Sequence, residues 1–237
     1  MAKKVAAYCM TQNLYRYSLP SIKSLLKNSD VDEIYLLIED DEFPYDLPKL
    51  KVINVKEQQY ILPSSPNYYG TPWTYMAMMR AALCKYIKAD RCLSLDVDTI
   101  IDGEISQLWE LPPDDYYLAG GKEPDKSFGN DIYINAGVTM FNLKKLKKDG
   151  KADEVIDALN HRLFGFADQD AFNELCRGQI YEFEPKYNVH LWAVQTEDKP
   201  VIIHHAGFKP EVWMNYDIVK KYDAMEVKNV KKRNKGV

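Results

Sequence analysis

The stretch that decides the fold runs Arg91-Cys92-Leu93-Ser94-Leu95-Asp96-Val97-Asp98-Thr99-Ile100-Ile101. An apolar run leads directly into two carboxylates spaced i, i+2, the pattern of a buried strand ending where an open α/β sheet collects its ligands. In an extended chain those side chains point to the same side, so Asp96 and Asp98 are expected to converge on one hard cation. The plain alternative is a pair of solvated turn aspartates, because aspartate is common wherever strands end.

Toward the N-terminus, apolar patterning predicts strands over 5–9, 34–38 and 52–55, a helix over 19–26 and a longer helix over 73–87. Toward the C-terminus it predicts strands over 116–119, 133–141 and 201–203, with helices over 152–163 and 169–176. This alternation is that of an α/β protein with a mixed sheet flanked by helices. Residues 57–72 carry Pro63, Pro66, Gly70 and Pro72 among Tyr60, Tyr68 and Tyr69, which reads as a long aromatic surface loop.

With 237 residues, 46% of them hydrophobic, the chain can bury one sizeable core but not two ordinary enzyme domains. A single domain over 1–225 is expected, followed by a basic tail over 226–237. That tail holds Lys228, Lys231, Lys232, Arg233 and Lys235 and reads as a disordered end; its functional alternative is peripheral contact with an acidic lipid surface. Thirty-one basic against 35 acidic residues leave a net charge of −4, which argues against nucleic acid as a partner. No apolar run approaches the roughly 20 residues that span a bilayer, and the start is too short for a signal peptide, so a cytoplasmic location is expected. Cys9, Cys84, Cys92 and Cys176 form no CxxC pair and read as reduced core residues.

Two enzyme classes want Asp96-Val97-Asp98-Thr99. A nucleotide-sugar transferase uses DxD to hold a divalent metal against a diphosphate, and a haloacid-dehalogenase-type phosphatase uses DxDxT with Asp96 as nucleophile and Asp98 as acid and base. The phosphatase motif belongs on the first strand of its domain, whereas several elements precede Asp96. Three further segments bear on the choice. Asn135-Ala136-Gly137 puts a small polar break in an apolar strand, where something must approach the backbone closely. Asp168-Gln169-Asp170 opens a helix, with Asp168 expected as its N-cap. His204-His205-Ala206-Gly207-Phe208-Lys209 ends a strand with a ligating imidazole, a glycine and a lysine. Taken singly, these read better as a bulge, a cap and a turn.

In their order along the chain, from Val5 to Lys209, the four motifs resemble the retaining glycosyltransferases of family 8, which include glycogenin and bacterial lipooligosaccharide galactosyltransferases. The resemblance implies the GT-A fold, a Rossmann-like mixed sheet. It implies that Asp96, Asp98 and His204 hold Mn²⁺, with Mg²⁺ as the alternative, and imidazole beside carboxylates suits manganese better than calcium. It further implies a UDP-sugar donor whose nucleotide meets Thr11, Asn13, Tyr15, Arg80, Asp96, Val97, Gly207 and Lys209, with Tyr15 stacking on the base. Arg80, Asn135, Ala136, Gly137, Asp168 and Gln169 would line the donor sugar, Asp168 and Gln169 being the catalytic candidates and Gln169 lying near the anomeric carbon. A neutral amide is a weak nucleophile, so a front-face route is expected, in which a phosphate oxygen takes the acceptor's proton. UDP-glucose and UDP-galactose are the expected donors. Two departures stand out: only Phe208 separates Gly207 from Lys209, and residues 117–123 lack the aspartate many members place near the donor sugar. For a glycan acceptor, Tyr60, Tyr68, Tyr69 and Trp73 are candidate stacking surfaces, with Tyr187, His190 and Trp192 as an opposite wall. A nucleotide-sugar-binding module without catalysis is the remaining alternative.

Overall fold

The structure is a computed structural model describing residues 2–71, 74–111, 115–123, 131–191, 193 and 196–227. Its strands are β1 (Val5–Cys9), β2 (Glu33–Ile38), β3 (Leu50–Asn54), β4 (Cys92–Leu95), β5 (Thr99–Ile101), β6 (Leu118–Lys122), β7 (Ile134–Phe141), β8 (Ile180–Glu182) and β9 (Ile202–His204). Seven of them form one sheet in the order β3-β2-β1-β4-β7-β6-β8. The β3 to β4 half is parallel, β7 runs antiparallel to both β4 and β6, and β8 is parallel to β6. This is the mixed sheet expected, flanked by helices in a single domain.

Strand alternation builds both faces of the core. Val5 and Ala7 pack with the helical segments of 75–86 and 143–175, while Ala6 and Tyr8 face the helix Tyr15–Asn28. Because helices cover both faces, the parallel strands read as nearly continuous apolar runs. The helix Tyr15–Asn28 also carries a buried serine row. Ser21 Oγ bonds Tyr8 OH and Thr99 Oγ1, each at 2.9 Å, and Ser24 Oγ accepts Ile101 N–H at 2.9 Å. Those bonds satisfy polar groups of β5 that the seven-stranded sheet does not reach, and they fix the strand that follows Asp98.

Four expectations need correction. The helix expected over 73–87 is broken into Tyr75–Met78, a 3₁₀ turn Met79–Ala82, and Leu83–Tyr86. The tightened turn carries Arg80, whose side chain is turned inward and buried. Residues 57–72 are not loop throughout, for Pro66–Gly70 forms a helical turn capped by Ser65 Oγ on Asn67 N–H at 3.2 Å, with proline at its first position. Asn67 is fully buried and pins that turn to Leu159 O and Arg162 O at 2.7 Å each. Asp168 is not an N-cap: the helix Ala167–Leu175 has Phe166 in that position, and the Phe166 N–H is taken by Asp170 Oδ2 at 2.7 Å. The strand expected over 116–119 starts two residues later, at Leu118, and runs to Lys122. Residues 228–237 of the tail, Trp73 and Trp192 lie outside the described residues.

Candidate metal and donor site

The two aspartates converge, by a different route from the one expected. Asp96 and Asp98 sit in a turn between β4 and β5 rather than in extended chain. Thr99 closes it, donating Oγ1–H to Asp96 O at 2.8 Å, while Asp96 N–H is held by Gly137 O at 2.8 Å. The short antiparallel pair of β5 and β9 sets His204 opposite Thr99, and His205 N–H donates to Asp98 O at 2.9 Å. His204 Nε2 thereby lies 3.7 Å from Asp96 Oδ2 and 3.4 Å from Asp98 Oδ1. One ligand atom from each of the three residues falls within 4.8 Å of the others. His205 points away and stacks parallel to Trp213 at 6.1 Å.

Two carboxylates and an imidazole fit a divalent cation of the Mn²⁺ or Mg²⁺ kind. Asp98 Oδ1 strengthens the fit, being buried without a hydrogen bond. Burial works against charge on both Asp98 and His204, yet each outweighs it for the other: the carboxyl is held below its ordinary value and the imidazole above. The close approach expected at Gly137 is made by these ligands. A Cβ there would lie 2.2 Å from His204 Cε1 and 2.8 Å from Asp96 Oδ2, so only glycine leaves room.

Behind the carboxylates, Arg80 joins two groups distant in sequence. Its Nη1 is 3.3 Å from Asp96 Oδ1 and donates to Ala136 O at 2.5 Å, and its Nε is 3.0 Å from Asp168 Oδ2. Burial disfavours the guanidinium charge, but Asp168 and Asp96 more than compensate and raise its pKa. Asp168 is 3% exposed; burial lifts its carboxyl to about 6 despite the pull of Arg80. Ala167, which precedes Asp168, has φ +43°, a left-handed conformation rare for a residue with a Cβ. Gln169 is engaged at both ends, Oε1 accepting Ala136 N–H at 2.9 Å and Nε2 donating to Tyr133 OH at 3.2 Å. Asn135 Nδ2 donates to Glu123 Oε1 at 2.8 Å, which puts a carboxylate beside the strand of Asn135 and Gly137 from the segment that lacks the expected aspartate.

The remaining expected residues form a looser rim. Thr11 Oγ1 donates to Asn13 Oδ1, and Val97 is half-buried. Gly207 takes φ +80°, and Lys209 is exposed at the start of the helix Pro210–Trp213, its ammonium in no ion pair among the described residues. Tyr15 departs from expectation. It is 4% exposed, edge-on to Phe43 at 5.4 Å, and donates its hydroxyl to Asp40 Oδ2 at 2.8 Å, so little of either face is open to a base. It forms one wall of a cleft of about 540 Å³ that Gln12, Asn13 and Asp40 also line. The acceptor candidates divide: Tyr60 packs on Tyr86 and Tyr68 stacks on Tyr75, Tyr187 and His190 are buried, and Tyr69 is 79% exposed. Sequence reasoning passed over Asp40, Glu123 and Tyr133, which act as partners of site residues and carry no motif of their own.

Comparisons with known proteins agree with this geometry. Residues 5–215 match the family described as Glycosyl transferase family 8. Glycosyltransferase GlyE of Streptococcus pneumoniae serotype 4 is 25% identical over 239 residues, covering 84% of this chain and 57% of GlyE. Lipopolysaccharide 1,2-glucosyltransferase of Escherichia coli K12 is 25% identical over 162 residues, covering 56% of this chain and 48% of that protein. The chain thus spans about half the length of these relatives. Among solved structures, the galactosyltransferase LgtC in complex with donor and acceptor sugar analogs superposes with a TM-score of 0.68 at 16% identity, covering 92% of this chain and 95% of LgtC. That likeness establishes the GT-A fold, and the family match over most of its length places the chain in glycosyltransferase family 8.

Proposed function

We propose that the chain is a retaining hexosyltransferase that moves a hexose from UDP-glucose or UDP-galactose to a hydroxyl of a glycan, with Mn²⁺ as its metal. The observation that carries this reading is the convergence of Asp96, Asp98 and His204 immediately in front of the Arg80–Asp168 pair. A divalent ion held there supplies positive charge to the departing diphosphate. Lys209, free of ion pairs among the described residues, and the open backbone at Gly207 suit the same oxygens. Asp168, held by Arg80, would accept hydrogen bonds from sugar hydroxyls.

Gln169 does not suit a nucleophile's role, because its amide is neutral and its oxygen is already committed to Ala136 N–H. A front-face route follows. The bond from the anomeric carbon to the phosphate oxygen breaks as the acceptor oxygen bonds to the same face, and a phosphate oxygen of UDP takes the acceptor's proton. The phosphatase alternative finds no support in the comparisons. The test offers each UDP-hexose with Mn²⁺ and a panel of glycans, and reads the anomeric configuration of the product by proton NMR. An α-linked product from the α-linked donor supports the reading. A β-linked product contradicts it, and donor binding with no transfer to any acceptor favours the non-catalytic module. Among the described residues no helix is long and apolar enough to cross a membrane.

A further inference from the structure

His204 has two ring nitrogens, and only the one facing Asp96 and Asp98 can serve as a ligand. Its other nitrogen, Nδ1, lies 3.1 Å from Asn188 Oδ1. Asn188 is 2% exposed and stands on no motif. From Asn188 the bonds run on: Asn188 Nδ2 donates to Asn135 Oδ1 at 3.2 Å, and Asn135 Nδ2 donates to Glu123 Oε1 at 2.8 Å.

The polarity of this chain is set by its far end. A carboxylate can only accept, so Asn135 must offer Glu123 its amino group and turn its oxygen inward. Gly137 N–H, which can only donate, reaches that same oxygen at 2.9 Å and fixes the orientation independently. Asn188 must then give its own amino group to Asn135, leaving its oxygen for His204. An amide oxygen can only accept, so the hydrogen of this last bond sits on Nδ1, and the lone pair of the neutral ring is left on Nε2. Packing agrees with bonding: a Cβ at Gly121 would lie 2.7 Å from Asn188 Cβ, so the strand under Asn188 is glycine where the amide needs space.

We infer that Asn188 is the positioning residue of the metal site, selecting the His204 tautomer that presents Nε2 to the cation, and that Glu123 and Asn135 set its orientation. The inference rests on the reading of Asp96, Asp98 and His204 as metal ligands. It ties the metal to the donor-sugar strand through one line of hydrogen bonds, since Asn135 belongs to both. Metal-ligating histidines generally depend on such an outer partner, whose loss costs about 10- to 100-fold in metal affinity.

Two measurements test it. In metal-free wild type at alkaline pH, ¹⁵N NMR of the His204 ring is expected to show the proton on Nδ1; a proton on Nε2 overturns the proposal without any variant having to fold. Calorimetric titration of Mn²⁺ then compares wild type with Asn188→Leu, which removes the acceptor, and Asn188→Asp, which keeps it while losing the bond to Asn135. The expected result is about 10- to 100-fold weaker binding in Asn188→Leu and near wild-type binding in Asn188→Asp. Unchanged affinity in a folded Asn188→Leu, or equal loss in both variants, overturns the positioning role alone. A wild type that binds no Mn²⁺ overturns the metal reading itself and the positioning role with it.

Discussion

The carboxylate centre of this molecule and the rim proposed to meet the nucleotide are built in opposite ways. At the centre, Asp168, Arg80 and His204 are buried and Asp98 is half-buried, and each is held by groups from other elements. At the rim, Asn13 and Lys209 are open to solvent, Thr11 is half-buried, and all three are bonded locally or not at all. A centre of this kind is ordered before any ligand arrives, so its geometry costs nothing at the moment of binding. A rim of exposed side chains takes its final geometry from the ligand. Substitutions at the two should therefore fail differently, the first through stability and all-or-none loss, the second through graded affinity.

The largest effect is expected from Arg80→Met, which leaves Asp168 buried without its cation; breaking a buried pair this way costs about 3–5 kcal/mol of stability. Chemical denaturation checks it, and a loss comparable to that of a surface lysine would erase the contrast between centre and rim. Next comes Asp98→Ala, for which roughly 10²- to 10³-fold loss of hexosyl transfer is expected with the fold intact by circular dichroism, from removal of one electrostatic contributor. An effect no larger than that of a rim variant would place the metal elsewhere.

A third prediction concerns pH. The Asp168 carboxyl is raised from 3.8 to about 6 in the folded state by burial, so the native protein holds a proton that the unfolded chain releases between those values. Its contribution to stability is fully present below the unfolded value and is lost as pH rises through about 6. The full excursion is on the order of 3 kcal/mol. Stability of metal-free wild type relative to Asp168→Asn should therefore fall between those two pH values and level off above them; a difference that rises over that window would mean Arg80 outweighs burial. The smallest effect is expected from Lys209→Ala, about 1 kcal/mol or roughly fivefold in UDP affinity and weaker still in high salt, as for an exposed charge. A loss as complete as that of Asp98→Ala would show that the rim is preorganised too.

How much of this was legible beforehand follows the same division. The parallel half of the sheet was readable because burial on both faces writes itself as uninterrupted apolar runs, as in β1, β2 and β4. Asp96, Asp98 and His204 were readable as a set through the order of motifs, but the turn that unites them was not. That turn depends on β5 pairing with β9 across roughly a hundred residues, and three-residue strands leave almost no periodicity. Arg80 was found by its spacing from Asp96, yet the 3₁₀ break that turns it inward is a tertiary effect on a sequence with helical patterning. Asn188 and Glu123 could not be found at all, since their roles lie in which atom of a partner they meet. Tyr15 was misjudged for the reverse reason: an aromatic in a ligand loop reads as a stacking platform unless its own packing on Phe43 is seen.

The central claim is that one divalent ion, held by Asp96, Asp98 and His204, couples this chain to UDP. Calorimetric titration of UDP in the presence of Mn²⁺, and again with a chelator, tests it most directly. The account predicts saturable binding with Mn²⁺ that the chelator abolishes and that Asp98→Ala lacks. UDP binding that is equally strong with the chelator, or absent in both conditions, would contradict it.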